Sequence, residues 1–293
     1  VPNISNKVKQ TIVTTLLENQ GLELVAVELA KYGIGLKMAQ TLFLFYRERT
    51  LELLQTNPYQ FVFDIEGFGF PTADKIAFAL NLDPYGKNRL QAACYYALQL
   101  AALSGHVYLP IPECVQEMQQ ILRLENVTKE TYRQEIEELV HTKTIIMHED
   151  KLYLPSLYYA EEHFVLHLQR LLAEPVDFSI TDAELMSIIG EIEAEEALSY
   201  GTDQFMAIKQ ALSSKVMVLT GGPGTGKTTV IKGIIAAYAK IHNVSLHRHD
   251  YRNSEDYPFI LTAPTGRAAK RLQESTGLNA TTIHRLLGWD GKV

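Results

Sequence analysis

The most specific chemistry in the chain lies in Gly221-Gly222-Pro223-Gly224-Thr225-Gly226-Lys227-Thr228-Thr229, which opens on G-x-x-x-x-G-K-T. Its glycines permit a tight bend that turns successive backbone N–H groups toward one anion. Lys227 can reach β- and γ-phosphates as a point charge, and the Thr228 hydroxyl can sit on Mg²⁺. The expected occupant is the tail of a nucleoside triphosphate. The plain alternative is a glycine-rich turn with an exposed lysine.

Such a loop works between a strand and a helix, because the helix turns the positive end of its dipole to the phosphates. The β-branched run Val216–Thr220 predicts the strand, and Val230–Ala239 predicts the helix. A phosphate loop alone names no reaction, so its neighbours decide. Gln204, 17 positions before Gly221, carries an amide that donates and accepts and so could read an adenine edge; taken by itself it reads more readily as an exposed helix residue. Downstream, residues 258–272 read P-F-I-L-T-A-P-T-G-R-A-A-K-R-L. Phe259–Leu261 predicts a strand, Thr262–Gly266 a polar loop and Arg267–Leu272 the start of a helix. The loop Thr262-Ala263-Pro264-Thr265-Gly266 offers N–H groups and threonine hydroxyls, and Arg267, Lys270 and Arg271 supply charge. That set suits a phosphodiester backbone. T-T-I-H-R-L-L-G follows at Thr281–Gly288, with Thr282 and His284. Alone, each segment also reads as solvated helix.

The elements that must carry these residues fall into four stretches. Residues 1–84 read as short helices joined by glycine turns. Y-G-I-G-L-K-M-A from Tyr32 repeats as E-G-F-G-F-P-T-A from Glu66, so that Gly33 pairs with Gly67 and Gly35 with Gly69, 34 positions apart. Asn57-Pro58 breaks the chain between the two units. Residues 85–173 open with an apolar helix, Arg89 to Ser104. A short strand from His106, helices at Glu113–Leu124 and Lys129–Val140, and a strand–turn–strand from Thr144 with Glu149-Asp150 at its tip follow. Helix, helix, hairpin is the outline of a winged helix, and Ala160–Ala173 adds a further helix. Residues 174–202, rich in glutamate, read as a linker with solvated helical faces. From 203 to 293 the order helix, strand, glycine loop, helix, strand is that of a parallel α/β sheet.

Together, Gln204, G-G-P-G-T-G-K-T-T, T-A-P-T-G-R-A-A-K-R-L and T-I-H-R-L-L resemble the N-terminal half of the motor core of RecD-like helicases, in the 5′→3′ branch of superfamily 1. The glycine segment resembles their Walker A, and the second resembles motif Ia. The third resembles the segment that follows it on the DNA path. Gln204 matches the adenine-reading glutamine, with Gly201-Thr202-Asp203 a weaker flank. Long RecD-like proteins carry helix-hairpin-helix repeats and a small helical domain before the motor, and residues 1–173 resemble that region. The resemblance implies a multidomain chain: all-α helix-hairpin-helix and winged-helix-like front domains, followed by a truncated α/β RecA-like P-loop domain.

It also implies ATP and Mg²⁺ at Gly221–Thr229 with Gln204, where Lys227 and Thr228 carry the catalytic phosphate and Mg²⁺ roles. Single-stranded DNA would run past Thr262, Pro264, Thr265, Gly266, Arg267, Lys270, Thr282 and His284. Duplex junctions would be unwound with 5′→3′ polarity, in DNA repair or recombination. The chain departs from the pattern in one respect: no Walker B strand ending in Asp-Glu follows Gly288, and no later arginine senses the γ-phosphate. With Val1 at its start and W-D-G-K-V at its end, the sequence reads as an N-terminal fragment. Such a fragment is expected to bind ATP–Mg²⁺ weakly and to hydrolyse it negligibly.

Helix-hairpin-helix turns bind DNA phosphates through backbone N–H groups. Gly33-Ile34-Gly35 has Lys37 two positions on, whereas Gly67-Phe68-Gly69 adjoins Glu66 and meets no cation before Lys75. The first turn is the stronger DNA candidate; both also serve compact packing. Phe61, Phe63, Phe68 and Phe70 read as core. The second helix of the winged-helix outline sets Glu130, Glu135, Glu137 and Glu138 against Lys129 and Arg133, which repels phosphates and favours docking of a protein partner. His163 and His167 lack a third ligand and read as a surface pair.

The 293 residues carry 27 Lys+Arg against 34 Asp+Glu, a formal net charge of −7, so any nucleic-acid contact must come from local patches. Two cysteines make no disulfide framework and fit a reducing cytoplasm; no apolar run reaches membrane-spanning length. Besides the helicase, the sequence admits a non-catalytic DNA-structure-binding or partner-docking module and, more weakly, a P-loop phosphotransferase.

Overall fold

A computed structural model describes residues 21–176, 180–253 and 256–289, in two compact units that divide between His163 and Phe164. In the first unit, α1 (21–30) leads through Gly33, at φ +80°, into α2 (Leu36–Tyr46), with Gly35 as its N-cap. After α3 (Arg49–Thr56) and α4 (Gln60–Asp64) the same turn recurs. Gly67 has φ +81°, and Gly69 caps α5 (Phe70–Ala79). The 34-residue sequence repeat is therefore a repeat of backbone conformation, at a φ that other L-residues adopt only at a cost of about 1–2 kcal/mol. Ala39, Leu42 and Phe43 of α2 and Ala73, Ile76 and Ala77 of α5 enter one core. Phe61, Phe68 and Phe70 are buried in it, and Phe63 packs against it.

That core continues without a break into α6 (Lys87–Leu103), whose Ala92, Ala93, Cys94 and Ala97 are buried where it packs on α7 (Ile111–Leu122). Small side chains let the two helices approach closely, and the Cys94 and Cys114 sulfurs lie 3.7 Å apart. A hydrogen bond with Cys114, together with complete burial, holds the Cys94 thiol well above its usual pKa. Arg89, 3% exposed, clips α5 to α6: its Nε and Nη2 donate to the two Asp74 carboxylate oxygens at 2.6 and 3.0 Å. Its Nη1 reaches the Pro84 carbonyl at 3.1 Å, and the Tyr59 hydroxyl donates to Asp74 Oδ1 at 2.7 Å. Burial alone would lower the guanidinium pKa; the bond and charge of Asp74 raise it.

α8 (Lys129–His141) is capped by the Thr128 hydroxyl, which accepts from the Thr131 N–H. Three short strands complete the unit: β1 (Tyr108–Pro110), β2 (Ile146–His148) and β3 (Lys151–Tyr153), antiparallel in the order β1-β3-β2. Leu109 pairs with Leu152, and Leu152 with Met147. The β2–β3 turn is Glu149-Asp150, with Glu149 at φ +53°. The strands and helices of this stretch follow the sequence expectation closely. α9 (Pro155–Ala173) runs across the division of the chain and buries none of its residues. No helix among the described residues is long and apolar enough to cross a membrane.

In the second unit, α10 (Asp182–Glu196) starts with a reciprocal cap. The Thr181 Oγ1 accepts from the Glu184 N–H at 3.3 Å, and the Glu184 carboxylate accepts from the Thr181 N–H at 2.9 Å. The Thr181 hydroxyl also donates to that carboxylate at 2.7 Å, and this bond, with the one from the Thr181 N–H, holds the Glu184 carboxyl below its usual pKa. Leu185, Ile189 and Ile192 of α10 are buried with Ile208 and Leu212 of α11 (Thr202–Leu212) and Val230 and Ala237 of α12 (Lys227–His242). Of the glutamates that suggested a solvated linker, Glu191 and Glu195 pair with Lys240 of α12 and Glu196 with Lys232, while Glu193 is half-buried and accepts from the Tyr200 N–H; the inner face of α10 is core. β4 (Leu261–Ala263) pairs in parallel with β5 (Ala280–Thr282), joined by α13 (Gly266–Thr276), and α14 (Ile283–Leu286) follows.

Two strand expectations need correction. Val216–Thr220 forms no ladder with any described residue, and Val218 is 82% exposed; β-branched composition makes a strand only where a neighbour accepts its hydrogen bonds. The strand expected at Phe259–Leu261 lies at Leu261–Ala263, since pairing with Ala280–Thr282 sets its register. Thr262 is consequently a strand residue rather than part of a loop.

Candidate nucleotide and nucleic-acid site

The phosphate loop is shaped by α12 and its cap. Gly226, at φ +78°, is the N-cap of this 16-residue helix, and Gly224 has φ +77°. A Cβ on Gly226 would overlap Gln204 Nε2, and one on Gly221 would lie 2.7 Å from Thr225 Oγ1. The Thr225 hydroxyl donates to the Gly222 carbonyl at 2.9 Å and ties the bend together. The Lys227 ammonium donates to the Gly221 and Gly222 carbonyls at 2.6 and 2.7 Å, so it lies over the mouth of the loop. Thr228 is exposed at the first turn of α12.

Gln204 stands against this loop from α11. Its Oε1 accepts from the Gly201 N–H at 3.0 Å, and its Nε2 reaches toward the Thr225 carbonyl at 3.4 Å. One Nε2 hydrogen and one Oε1 lone pair stay available. The donor set fits a triphosphate: free N–H groups at a helix start, one ammonium and one hydroxyl on a single edge. It also fits Mg²⁺ held by Thr228 and phosphate oxygens, the usual arrangement for an ion that keeps few protein ligands. Among the described residues no group of three or more His, Cys, Asp or Glu could hold a metal by itself.

The second set of residues lies where β4 and β5 end. The strands are parallel, so both leave the sheet at one edge, and each runs into a helix capped by threonine. Thr265 Oγ1 accepts from the Ala268 N–H, and Thr282 Oγ1 from the Arg285 N–H, each at 3.2 Å. These two hydroxyl oxygens are therefore caps, each with one lone pair spent on the helix start and its O–H left to donate outward. Pro264, Gly266, Arg267 and Lys270 are exposed along the first turns of α13, whereas Thr262 is half-buried opposite Thr281. His284 is exposed beside Trp289, ring centroids 4.7 Å apart, and the Trp289 N–H donates to the His284 carbonyl at 2.9 Å. Trp289, 53% exposed, was not singled out from sequence; a lone tryptophan next to His284 in the chain's last segment was its only signal.

In the first unit the two glycine turns line one cleft of about 420 Å³, with Gly33, Gly35, Gly67, Tyr32, Phe68 and Lys75 on its walls. Lys37 is exposed on α2. Lys75 is the first cation after the second turn, as the sequence indicates. It leaves its own turn and donates to the Tyr32 carbonyl at 3.1 Å, beside Gly33, so the charge of the second unit of the repeat serves the first. The contact joins residues 43 positions apart and so depends on the tertiary fold.

A paired glycine-turn module and a phosphate loop define a P-loop protein with a helix-hairpin-helix domain. Residues 18–108 match the family model described as the ATP-dependent RecD2 DNA helicase HHH domain, and residues 204–293 match the AAA domain. The chain is 30% identical to the ATP-dependent RecD2 DNA helicase of Deinococcus radiodurans over 99% of its own length and 39% of that protein's. It is 43% identical to the RecBCD enzyme subunit RecD of Mycolicibacterium smegmatis over 29% of this chain and 17% of that one. With the RecD subunit of Mycobacterium tuberculosis it shares 29% identity over 68% and 33%. The chain thus spans about two fifths of the length of its Deinococcus relative. These matches make the chain RecD-like, with a helical front domain of the RecD2 type ahead of a P-loop domain.

Proposed function

We propose that this chain is part of an ATP-dependent DNA helicase that translocates on single-stranded DNA and unwinds duplex junctions in repair or recombination. The observation that carries the reading is the convergence of Lys227, Thr228 and Gln204 on one glycine loop, in a unit whose second edge presents Arg267 and Lys270. ATP–Mg²⁺ is assigned to Gly221–Thr229. The start of α12 and Lys227 bind and neutralise the phosphates, Thr228 orients the ion, and Gln204 meets the base. Bound Mg²⁺ would neutralise charge that develops on the transferred phosphoryl.

Single-stranded DNA is assigned to the common edge of β4 and β5. There Pro264, Gly266 and the N–H groups of α13 meet phosphates, Arg267 and Lys270 add charge, and His284 with Trp289 offers ring faces. Polarity, 5′→3′, rests on the family resemblance alone. Among the described residues no carboxylate is bonded to Lys227 or Thr228, so residues 1–293 by themselves are expected to hold ATP–Mg²⁺ weakly and to turn it over slowly.

The test is Lys227→Ala in this chain, read by titration with a fluorescent ATP analogue and, separately, with 5′-tailed duplex DNA. Nucleotide affinity is expected to fall at least tenfold, about 1.4 kcal/mol, while DNA affinity holds. Unchanged nucleotide affinity would end the P-loop assignment. A second reading, a non-catalytic DNA-structure-binding module, is favoured by the shared cleft of the two glycine turns. It gains ground if Gly33→Ala with Gly35→Ala removes all DNA binding while Arg267→Ala removes none.

A further inference from the structure

α7, α8 and the β2–β3 turn enclose a groove on the first unit that neither the motor nor the glycine turns use. One lobe, about 470 Å³, is bounded by Ile136, Arg133 and Glu137 of α8 and by Met147, Glu149 and Asp150 of the hairpin. A second lobe, about 350 Å³, runs toward the start of α8, past Val115, Gln116, Gln119 and Lys129. The lobes share Ile111, Pro112 and Arg133, so they form one channel. The Ile111 N–H donates to the Asp150 carbonyl at 3.0 Å, which anchors the hairpin tip to α7 and fixes the width of the channel.

The floor is apolar: Ile111, Pro112, Val115, Ile136 and Met147, the last 42% exposed. The rim is charged and polarised along its length. Glu137, Glu149 and Asp150 gather at the hairpin end, while Lys129 lies at the other end with Arg133 between them. Lys129, Arg133, Glu137 and Asp150 take part in no ion pair among the described residues; Glu149 meets only Lys151, at 3.4 Å. Unpaired charges around an apolar floor are what a partner of complementary sequence would satisfy. Nucleic acid is the wrong partner, because the widest part of the groove presents three carboxylates to its phosphates.

We infer that this groove docks a short segment of another protein. An apolar side chain of that segment fills the floor, a lysine or arginine meets Glu137, Glu149 and Asp150, and a carboxylate meets Lys129 at the far end. The inference deepens the partner-docking reading of residues 85–173 and is independent of the motor reading. Its failure would leave nucleotide and DNA binding by the chain untouched.

The probe is a fluorescein-labelled peptide, Lys-Lys-Leu-Ala-Met-Leu-Ala-Glu-Glu, titrated against the whole chain by anisotropy; a second peptide has its Leu and Met residues replaced by Ser. The first is expected to bind in the tens of micromolar, and the Ser peptide at least tenfold more weakly. Glu137→Lys with Glu149→Lys, and separately Met147→Ser, should each weaken binding about tenfold. Glu161→Lys, on exposed α9, should not. Methyl resonances of methionine provide a readout on the unaltered protein: Met147 should shift on titration and Met206 should not. Equal binding of both peptides, insensitivity to the groove substitutions, or a silent Met147 methyl would overturn the inference. A loss of DNA affinity on Met147→Ser would overturn it too, by making the groove a nucleic-acid surface.

Discussion

At Gly226 two constraints meet on one residue. Its φ of +78° starts α12 in a conformation that costs an L-residue about 1–2 kcal/mol, and the space a Cβ would fill is held by the Gln204 amide. Gly226→Ala is expected to lose that much stability in urea unfolding and to weaken nucleotide binding at least tenfold, because the loop N–H groups no longer aim at one point. Adding Gln204→Ala removes the overlap but not the backbone cost, so it should restore only part of the stability. Wild-type nucleotide affinity in Gly226→Ala would show that this bend is not the binding element. The motif was visible in sequence, but the part played by Gln204 in holding the loop was not. A glutamine 22 positions from Gly226 carries no local sign that its Nε2 will point at Thr225.

Among the elements, α5 and α6 depend on each other through Arg89. Its guanidinium is desolvated, bonded in a fork to Asp74, and backed by Phe78 with its centroid 5.1 Å from the guanidinium carbon. Removing one partner of a buried pair leaves the other uncompensated, at a cost of about 3–5 kcal/mol. Arg89→Ala is therefore expected to lower the unfolding free energy of the first unit by that amount. Arg89→Met with Asp74→Leu should recover only part of it, since the Pro84 carbonyl and the Tyr59 hydroxyl lose their partners. A change under 1 kcal/mol in urea titration of Arg89→Ala would refute the clip. Sequence showed where α6 lies but not that one continuous core joins the glycine-turn stretch to the strands beyond it. Buried Arg89 is a charged residue in an alanine-rich helix, and only its distance to Asp74 explains it.

Among the described residues the first unit has a core around Leu42, Phe61 and Cys94, and the second unit one around Ile189, Ile208 and Val230. A ligand that binds only the folded form adds about 2.7 kcal/mol at a hundred times its Kd, and the loop belongs to the second core. Saturating ATP with Mg²⁺ is therefore expected to slow amide hydrogen exchange over α10, α11 and α12 and to leave α2 to α6 unchanged. Protection spread evenly over both units, or found nowhere, would contradict the assignment of nucleotide to Gly221–Thr229.

The amino-acid sequence by itself determined what depends on local spacing: the phosphate loop, the paired glycine turns, the helices from Arg89 to Val140 and the hairpin at Glu149-Asp150. Each follows from residue type within a few positions, through φ preference, periodicity or capping. Tertiary structure alone decided what depends on distant neighbours. It placed Lys75 at the first turn instead of the second, used Thr265 and Thr282 as caps, made α10 part of a core rather than a linker, and left Val216–Thr220 without a ladder. A side chain's partner and a strand's ladder are set by which segments pack together. That choice is made by burial summed over the chain, which no short window of sequence contains.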